Sequence, residues 1–513
     1  MYDVVIIGGG HNGLVAATVL ARAGLEVVVC ERSESLGGAA RTEECFADVP
    51  GLKHSTGAYL LGLMPPEILA LAGDAIRPLR RDPHYVLPTH AGRYLSFGRD
   101  RDETREQLER MFSAADLRAD DALAAELAAL RADLAPAWLA EPLSVEETAE
   151  RYIRPALREP FVELVTGSVV DYLHKFGFAS ELLVAMYAVT DGLSGLTAGP
   201  DTPGTGHNFL VHNMCRLPGS DGTWMVAQGG MGAVSGAFAD AAVRAGATLL
   251  TNAEVTAVAV TAGSATGVAL ADGTELTARA VLAACDPWRA AELVGDDAPR
   301  ELADRLDAVR RLGSTMKVNL ALRELPRLTA CPAGAPSPWG ATVHLLPDAD
   351  GRPLDALRQM WRDVEAGRLP EFPTMEWYVH TAIDPSLQDP EGHHSSALFV
   401  QSVPYEPAGT TWDDALEPYV EKLLAIADLY APGTSDAVAE VFALTPPGIE
   451  RHFGITGGHI HHVDNTVAFA DRMPYASGID GFYLGGAGCH PAGSVIGAAG
   501  FNSARRVLTD LTE

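Results

Sequence analysis

The sequence predicts an α/β fold organised around a βαβ unit at the start of the chain. Two local patterns and one bulk property point there. Between Tyr2 and Ala23 an apolar, β-branched run breaks into a glycine cluster and then into an alanine- and leucine-rich stretch, the order of strand, tight turn and helix. Near the C-terminus a second apolar run enters another glycine-rich turn and another helix-forming stretch. The chain has 513 residues, 47% of them hydrophobic, enough for a large core divided over two or three domains.

Tyr2 to Ile7 reads as a short buried strand. Gly8, Gly10 and Gly13 then supply G-x-G-x-x-G, with His11 and Asn12 between the last two. Leu14 to Ala23 reads as a helix with Gly24 as its C-cap, and Leu25 to Cys30 as a second strand. Glu31 ends that strand 18 positions after Gly13, near the roughly 20 expected of a Rossmann-like dinucleotide fold. Each part has a mechanical reason. Gly8 permits the tight turn, Gly10 lets backbone approach a pyrophosphate, and Gly13 lets helix and strand pack closely. The helix N-terminus offers unpaired N–H groups to phosphates. Glu31 accepts from a ribose 2′-OH and disfavours a 2′-phosphate.

The next loop extends the site. Gly37, Gly38, Ala39, Ala40 and Arg41 follow the ribose acid and suit a cofactor longer than a mononucleotide, with Arg41 placed for its pyrophosphate. The C-terminal stretch decides between NAD and FAD. Gly481 to Gly488 reads as a strand entering a glycine turn, and Pro491 to Gly500 leads into a helix reaching Leu511. A helix N-terminus there aims N–H groups at the flavin pyrimidine edge, where negative charge gathers on reduction. FAD is the expected cofactor.

Four stretches carry a family likeness: GGGHNGLVAA at 8–17, ERSESLGGAARTEE at 31–44, GTWMVAQGGMGAVSGAF at 222–238 and YLGGAGCHPAGSVIGAAG at 483–500. With them the chain resembles the phytoene-desaturase-like flavoproteins of the amine-oxidase/glutathione-reductase superfamily, and within these the subgroup of pyridine nucleotide-disulfide oxidoreductase domain-containing protein 2. The resemblance implies FAD contacts from Gly8, Gly10, His11, Asn12, Gly13, Glu31, Arg32, Gly38, Ala39 and Arg41. It adds the backbone of Val255 against the adenine, and Gly488, Ser494, Val495 and Ile496 at the flavin. Disulfide chemistry is not expected, because the six cysteines form no C-x-x-C pair.

The middle of the chain parses accordingly. Ala233 to Ala245 reads as a helix after the glycines at 229, 230 and 232, and Thr248 to Val258 as strand, turn and strand. Gly267–Leu270 and Glu275–Ala278 form a hairpin about Asp272-Gly273, and Val281–Ala284 is a further buried strand. The expected FAD-binding domain is therefore discontinuous, from residues 1–75, 220–295 and 455–513. An α+β substrate domain is inserted as 76–219 and 296–454. Its 101–200 part is helical in pattern; Thr315–Leu322 and Met375–Thr381 give it a sheet floor, and the loops 326–340 and 347–353 read as connectors.

Chemistry is less legible. Histidine titrates near neutrality, so His54, His212 and His490 are the candidate acid–base residues. His459 and His461, set to share one face of a strand beside Asp464, and the His393-His394 pair have metal-ligand character, but the resemblance implies no metal. Cys489 near the flavin motif raises a covalent link, against the family's non-covalent habit. No second G-x-G-x-x-G is present, so a built-in NAD(P)H site is not expected. Electrons from a small hydrophobic or amphipathic substrate would pass to the flavin and on to an external acceptor such as oxygen or a quinone. Amine oxidation, with Trp224, Trp377 and Tyr378 as an aromatic cage, redox-neutral isomerisation and a non-catalytic binding role are the alternatives. The 67 acidic against 38 basic residues, net −29, exclude a nucleic-acid partner. No signal peptide or spanning segment is read, so a cytoplasmic protein is expected. Oligomeric state is not legible.

Overall fold

The computed structural model describes residues 1–512. Two sheets dominate. In the first, strands Thr248–Leu250, Val27–Cys30, Tyr2–Ile7, Glu275–Ala283 and Phe482–Leu484 lie parallel in that order. All four residues of Val27–Cys30 and the four from Val4 to Ile7 are buried, as expected of a parallel sheet covered on both faces. Helices His11–Arg22, Met231–Arg244 and Ala498–Thr512 pack together beside it. Gly13 makes the first packing possible: a Cβ there would lie 2.1 Å from the Gly8 carbonyl oxygen. The α/β class read from the sequence is the class observed.

Local expectations shift in three places. The first helix begins at His11 rather than Leu14, with Gly10 as N-cap and Gly24 one residue past the Ala23 C-cap at φ +88°. The second strand begins at Val27 rather than Leu25. The hairpin strand at Glu275 and the buried strand at Val281 are one element, Glu275–Ala283. Its first half pairs antiparallel with Ser264–Leu270, and its second half pairs parallel with Tyr2–Ile7. It thereby joins a β-meander, completed by Val255–Thr261, to the parallel sheet.

The second sheet runs Val438–Leu444, Met316–Leu322, His394–Val400, Met375–Val379, Thr342–Leu345, Tyr85–Pro88 and Tyr94–Phe97. Every pair is antiparallel except Thr342–Leu345 with Tyr85–Pro88. Helices between Arg101 and His212 complete the molecule, and their apolar faces share one core with Leu14, Val15 and Ile496. Among the described residues, no helix is long and apolar enough to cross a membrane.

Candidate active site

One cavity of about 1190 Å³ joins the two sheets, larger than the ~300–1,000 Å³ of a pocket for one small ligand. At the first sheet it is lined by Gly8, Gly10, His11, Asn12, Glu31 and Arg32. Gly10 caps the helix with no side chain, and the first turn holds no acid, so the N–H groups and the positive end of the dipole are left for a ligand. A Cβ added to Gly10 would meet no protein atom within 4 Å. Glu31 accepts from the Gly9 N–H at 2.8 Å and the Ser33 N–H at 2.9 Å; these donors fix its carboxylate at the cavity wall. Gly38, Ala39 and Arg41 line the next part, with Arg41 held 3.0 Å from Glu43 and over the Phe453 ring. Val255 lies on the wall near Glu31, and Ala487, Ser494 and Val495 close it from the C-terminal side. Among the described residues His11 Nε2 is buried without a partner, and burial pushes that imidazole down to about 4.

The far end is built from the second sheet and the helices. Lys317 and Asn319 alternate onto the inner face of Met316–Leu322, and Glu376 and Tyr378 onto that of Met375–Val379. Lys317 Nζ sits 4.1 Å from the centre of the Tyr59 ring and 4.4 Å from that of Phe399. The rings favour its charged form, but burial outweighs them and pulls the amine down to about 7. Glu376 accepts from Tyr378, from Ser194 at 3.0 Å and from Gln401, yet burial still raises its carboxyl. Ala188–Leu193 is wound as a π-helix turn, a form common at functional sites. It brings Asp191 to the cavity, 3.8 Å from His212. Burial raises Asp191 to about 7 and lowers His212 to about 4, so the pair favours neutral forms. Arg81, 5% exposed, donates to the Trp224 carbonyl at 3.0 Å and to Thr342 Oγ1 at 2.6 Å.

A family profile described as flavin containing amine oxidoreductase matches residues 13–361. The chain belongs to that family. It is an FAD-dependent oxidoreductase. A mouse protein, pyridine nucleotide-disulfide oxidoreductase domain-containing protein 2, is 34% identical over 99% of this chain and 94% of its own length. A component of the limonene dehydrogenase of Castellaniella defragrans is 24% identical over 99% of this chain and 95% of its own. A crystal structure of an oxidoreductase from Methanosarcina mazei superposes with a TM-score of 0.65 at 17% identity, covering 99% of this chain and all of that one, a likeness of fold. The residues present fit the flavin cofactor of the family: the uncapped helix N-terminus and the open space at Gly10 border the cavity, and His11, whose buried Nε2 has no partner among the described residues, is one of its lining residues.

Not every residue singled out in the sequence reaches this flavoprotein's cavity. His54 does not. It lies beneath Tyr59, with Nδ1 2.6 Å from Ser395 Oγ and Nε2 2.8 Å from Asn319 Oδ1, and burial lowers it to about 4. Both ring nitrogens are in use, so it is a structural histidine. His490 is likewise buried away from the cavity, with Nε2 2.9 Å from the Ala137 carbonyl oxygen. Of the three candidate histidines only His212 lines the cavity. Gly488 and Ile496 also lie behind the wall: a Cβ on Gly488 would press on Pro287 at 3.0 Å, and Ile496 joins the helical core. Gly13 serves packing alone. Trp224 and Tyr378 line the cavity, whereas Trp377 is fully buried with its indole N–H on Ser396. His459 and His461 occupy turns, not a strand; His459 pairs with Asp464 at 2.9 Å and His461 Nε2 faces the Ser194 carbonyl. His393 belongs to a surface group with Asp389 and Glu391, and is already paired to Asp389 at 2.8 Å. Cys489 does not line the cavity, and burial pushes its thiol up to about 12.

Sequence reasoning missed Lys317, Glu376, Arg81 and Asp191. A signal existed for the first two: each is the lone charge inside an otherwise uncharged, mostly apolar strand, MKVNLAL and MEWYV. A charge at such a position is retained at a cost and marks a site.

Proposed function

We propose that this protein is a dehydrogenase of the desaturase type. It takes hydride from a small hydrophobic or amphipathic organic substrate, and its flavin is reoxidised by an acceptor from outside the chain. The observation that carries this reading is the cavity of about 1190 Å³ running from the glycine loop to a buried acid–base cluster on the second sheet. Bound FAD supplies a hydride acceptor at its N5 atom. Gly8, Gly10, His11, Asn12, Glu31, Arg32, Gly38, Ala39, Arg41, Val255, Ser494 and Val495 would hold it. We take residues 1–75, 220–295 and 455–513 as the FAD-binding part.

The remaining work falls to this chain's side chains. Apolar walls exclude water and position the substrate. Lys317 can accept the proton released with the hydride, because an amine near 7 is partly free at neutral pH. Glu376 and Tyr378 sit beside it to receive that proton or orient the donor. His212 and Asp191 form a second proton-handling pair on the opposite, helical wall.

Oxidation of a C–N bond is the second reading. The Trp224 and Tyr378 rings on the cavity wall favour it. Anaerobic titration of the purified protein with paired alcohols, alkenes and amines decides between the two. Bleaching of the visible flavin band by compounds lacking an amine supports the dehydrogenase, and bleaching by amines alone replaces it. A flavin that no compound of a broad panel reduces would refute both.

A further inference from the structure

Among the described residues, two arginines that are buried or half-buried line the second-sheet end of the cavity without a carboxylate within 4 Å: Arg81 and Arg131. This is unexpected in a chain of net charge −29. Of the neighbouring cavity arginines, Arg99 is exposed and two are already neutralised. Arg80 pairs with Asp221, and Arg101 with Asp120 and Asp121.

Arg81 and Arg131 reach the cavity from different elements and meet at one loop. Arg81 follows Pro78–Leu79 in the chain and donates Nε to the Trp224 carbonyl. Arg131 belongs to helix Ala114–Leu134 and donates Nε to the Asn213 carbonyl. Its guanidinium lies against Gly222, where a Cβ would stand 2.8 Å from Nη1. Residues 222–224 therefore sit between them, and both cations act on the buried Cys215 thiol. Arg81 also donates Nη1 to Thr342 Oγ1, but neither guanidinium has a carboxylate partner among the described residues, and both residues line the cavity.

Glu376 attracts Arg81 and Asp191 attracts Arg131 through space, but neither acid comes within 4 Å to form an ion pair. Glu376 accepts from three donors, and Asp191 accepts from Asn213 Nδ2 at 3.3 Å with His212 3.8 Å away. A buried guanidinium with free N–H groups is costly unless an anion meets it. The wall beside them is apolar: Leu60, Phe97, Leu123, Leu127, Met186 and Phe399.

We propose that the substrate is an organic oxyanion with an apolar body, its carboxylate or phosphate group held between Arg81 and Arg131. The inference rests on the oxidoreductase reading for what happens next, but it concerns binding alone. The cavity's geometry then gives an order: the anionic end lies at the loop 222–224, and the apolar body extends along the wall towards the flavin.

Calorimetric titration of the FAD-loaded protein with decanoate, decyl phosphate and methyl decanoate tests it without turnover. Either anion should bind about tenfold or more tightly than the ester, the worth of one charge-assisted contact. Which anion binds better identifies the headgroup as carboxylate or phosphate. In Arg131→Gln that preference should fall to near unity with flavin content unchanged. Arg81→Lys, which keeps the charge but not the fork, should weaken it in part. Equal or tighter binding of the ester, no binding of either anion, or an undiminished preference in Arg131→Gln would overturn the proposal. Flavin reduction by uncharged substrates alone would do the same while leaving the oxidoreductase reading intact. Anion preference in a protein whose flavin no compound of the broad panel reduces would do the reverse.

Discussion

Lys317 is the residue on which the chemistry turns. Its Nζ is enclosed by Tyr59 and Phe399, and burial brings the amine to about 7. The free amine is the form that accepts a proton, so the rate of flavin reduction should rise with pH through about 7. Lys317→Met should slow reduction by about 10²-fold and flatten that rise, as stopped-flow absorbance will show. Asp191 also titrates near 7, so Asp191→Asn is the control, and the pH-dependent limb should survive it. His54 predicts the opposite pattern. Its removal strands the Ser395 hydroxyl and leaves Asn319 Oδ1 with the Tyr59 hydroxyl alone, so His54→Ala should cost about 2 kcal/mol in chemical denaturation and leave the reduction rate unchanged. These residues also mark the limit of sequence reading. His54, His212 and His490 look alike in sequence because a histidine's role depends on what faces its ring nitrogens. Those partners, Ser395, Asn319, Asp191 and Ala137, lie at distant positions in the chain.

At the scale of elements, the glycine loop was the most legible part, because its requirements are backbone requirements. Gly10 and Gly13 differ in a testable way. A Cβ on Gly13 collides with the Gly8 carbonyl, whereas one on Gly10 enters open cavity. Gly13→Ala should therefore lower the stability of the apoprotein by about 1–3 kcal/mol. Gly10→Ala should leave the apoprotein's melting point unchanged and weaken FAD binding at least about tenfold, measured by fluorescence titration. The C-terminal turn has a support that the sequence did not reveal. Buried Arg472 donates to the carbonyls of Val463, Asp464, Val467, Ala487 and Cys489, tying the segment before the turn to the turn itself. Arginine in a loop reads as a surface charge, and only the closure of two segments around it buries it. The Glu275–Ala283 strand was divided in two for a similar reason. Asp272-Gly273 signals a hairpin, but nothing local shows that the same strand then enters the parallel sheet.

At the scale of the whole molecule, two sheets contribute one wall each to a single cavity, and the helices between Arg101 and His212 close it. The first sheet follows from strong local patterns that recur at both ends of the chain. The second was only half visible, because strands such as Tyr85–Pro88 and Tyr94–Phe97 are short, and their hairpin joins the rest of the sheet through Thr342–Leu345, far along the chain. That one cavity should hold one FAD beginning at Gly10. The flavin-to-protein ratio of the purified chain, read from its visible spectrum before and after addition of free FAD, tests this most directly. A ratio approaching one FAD per chain, lost in Gly10→Ala, is the predicted result. A chain that carries no flavin and takes up none when FAD is supplied would contradict it.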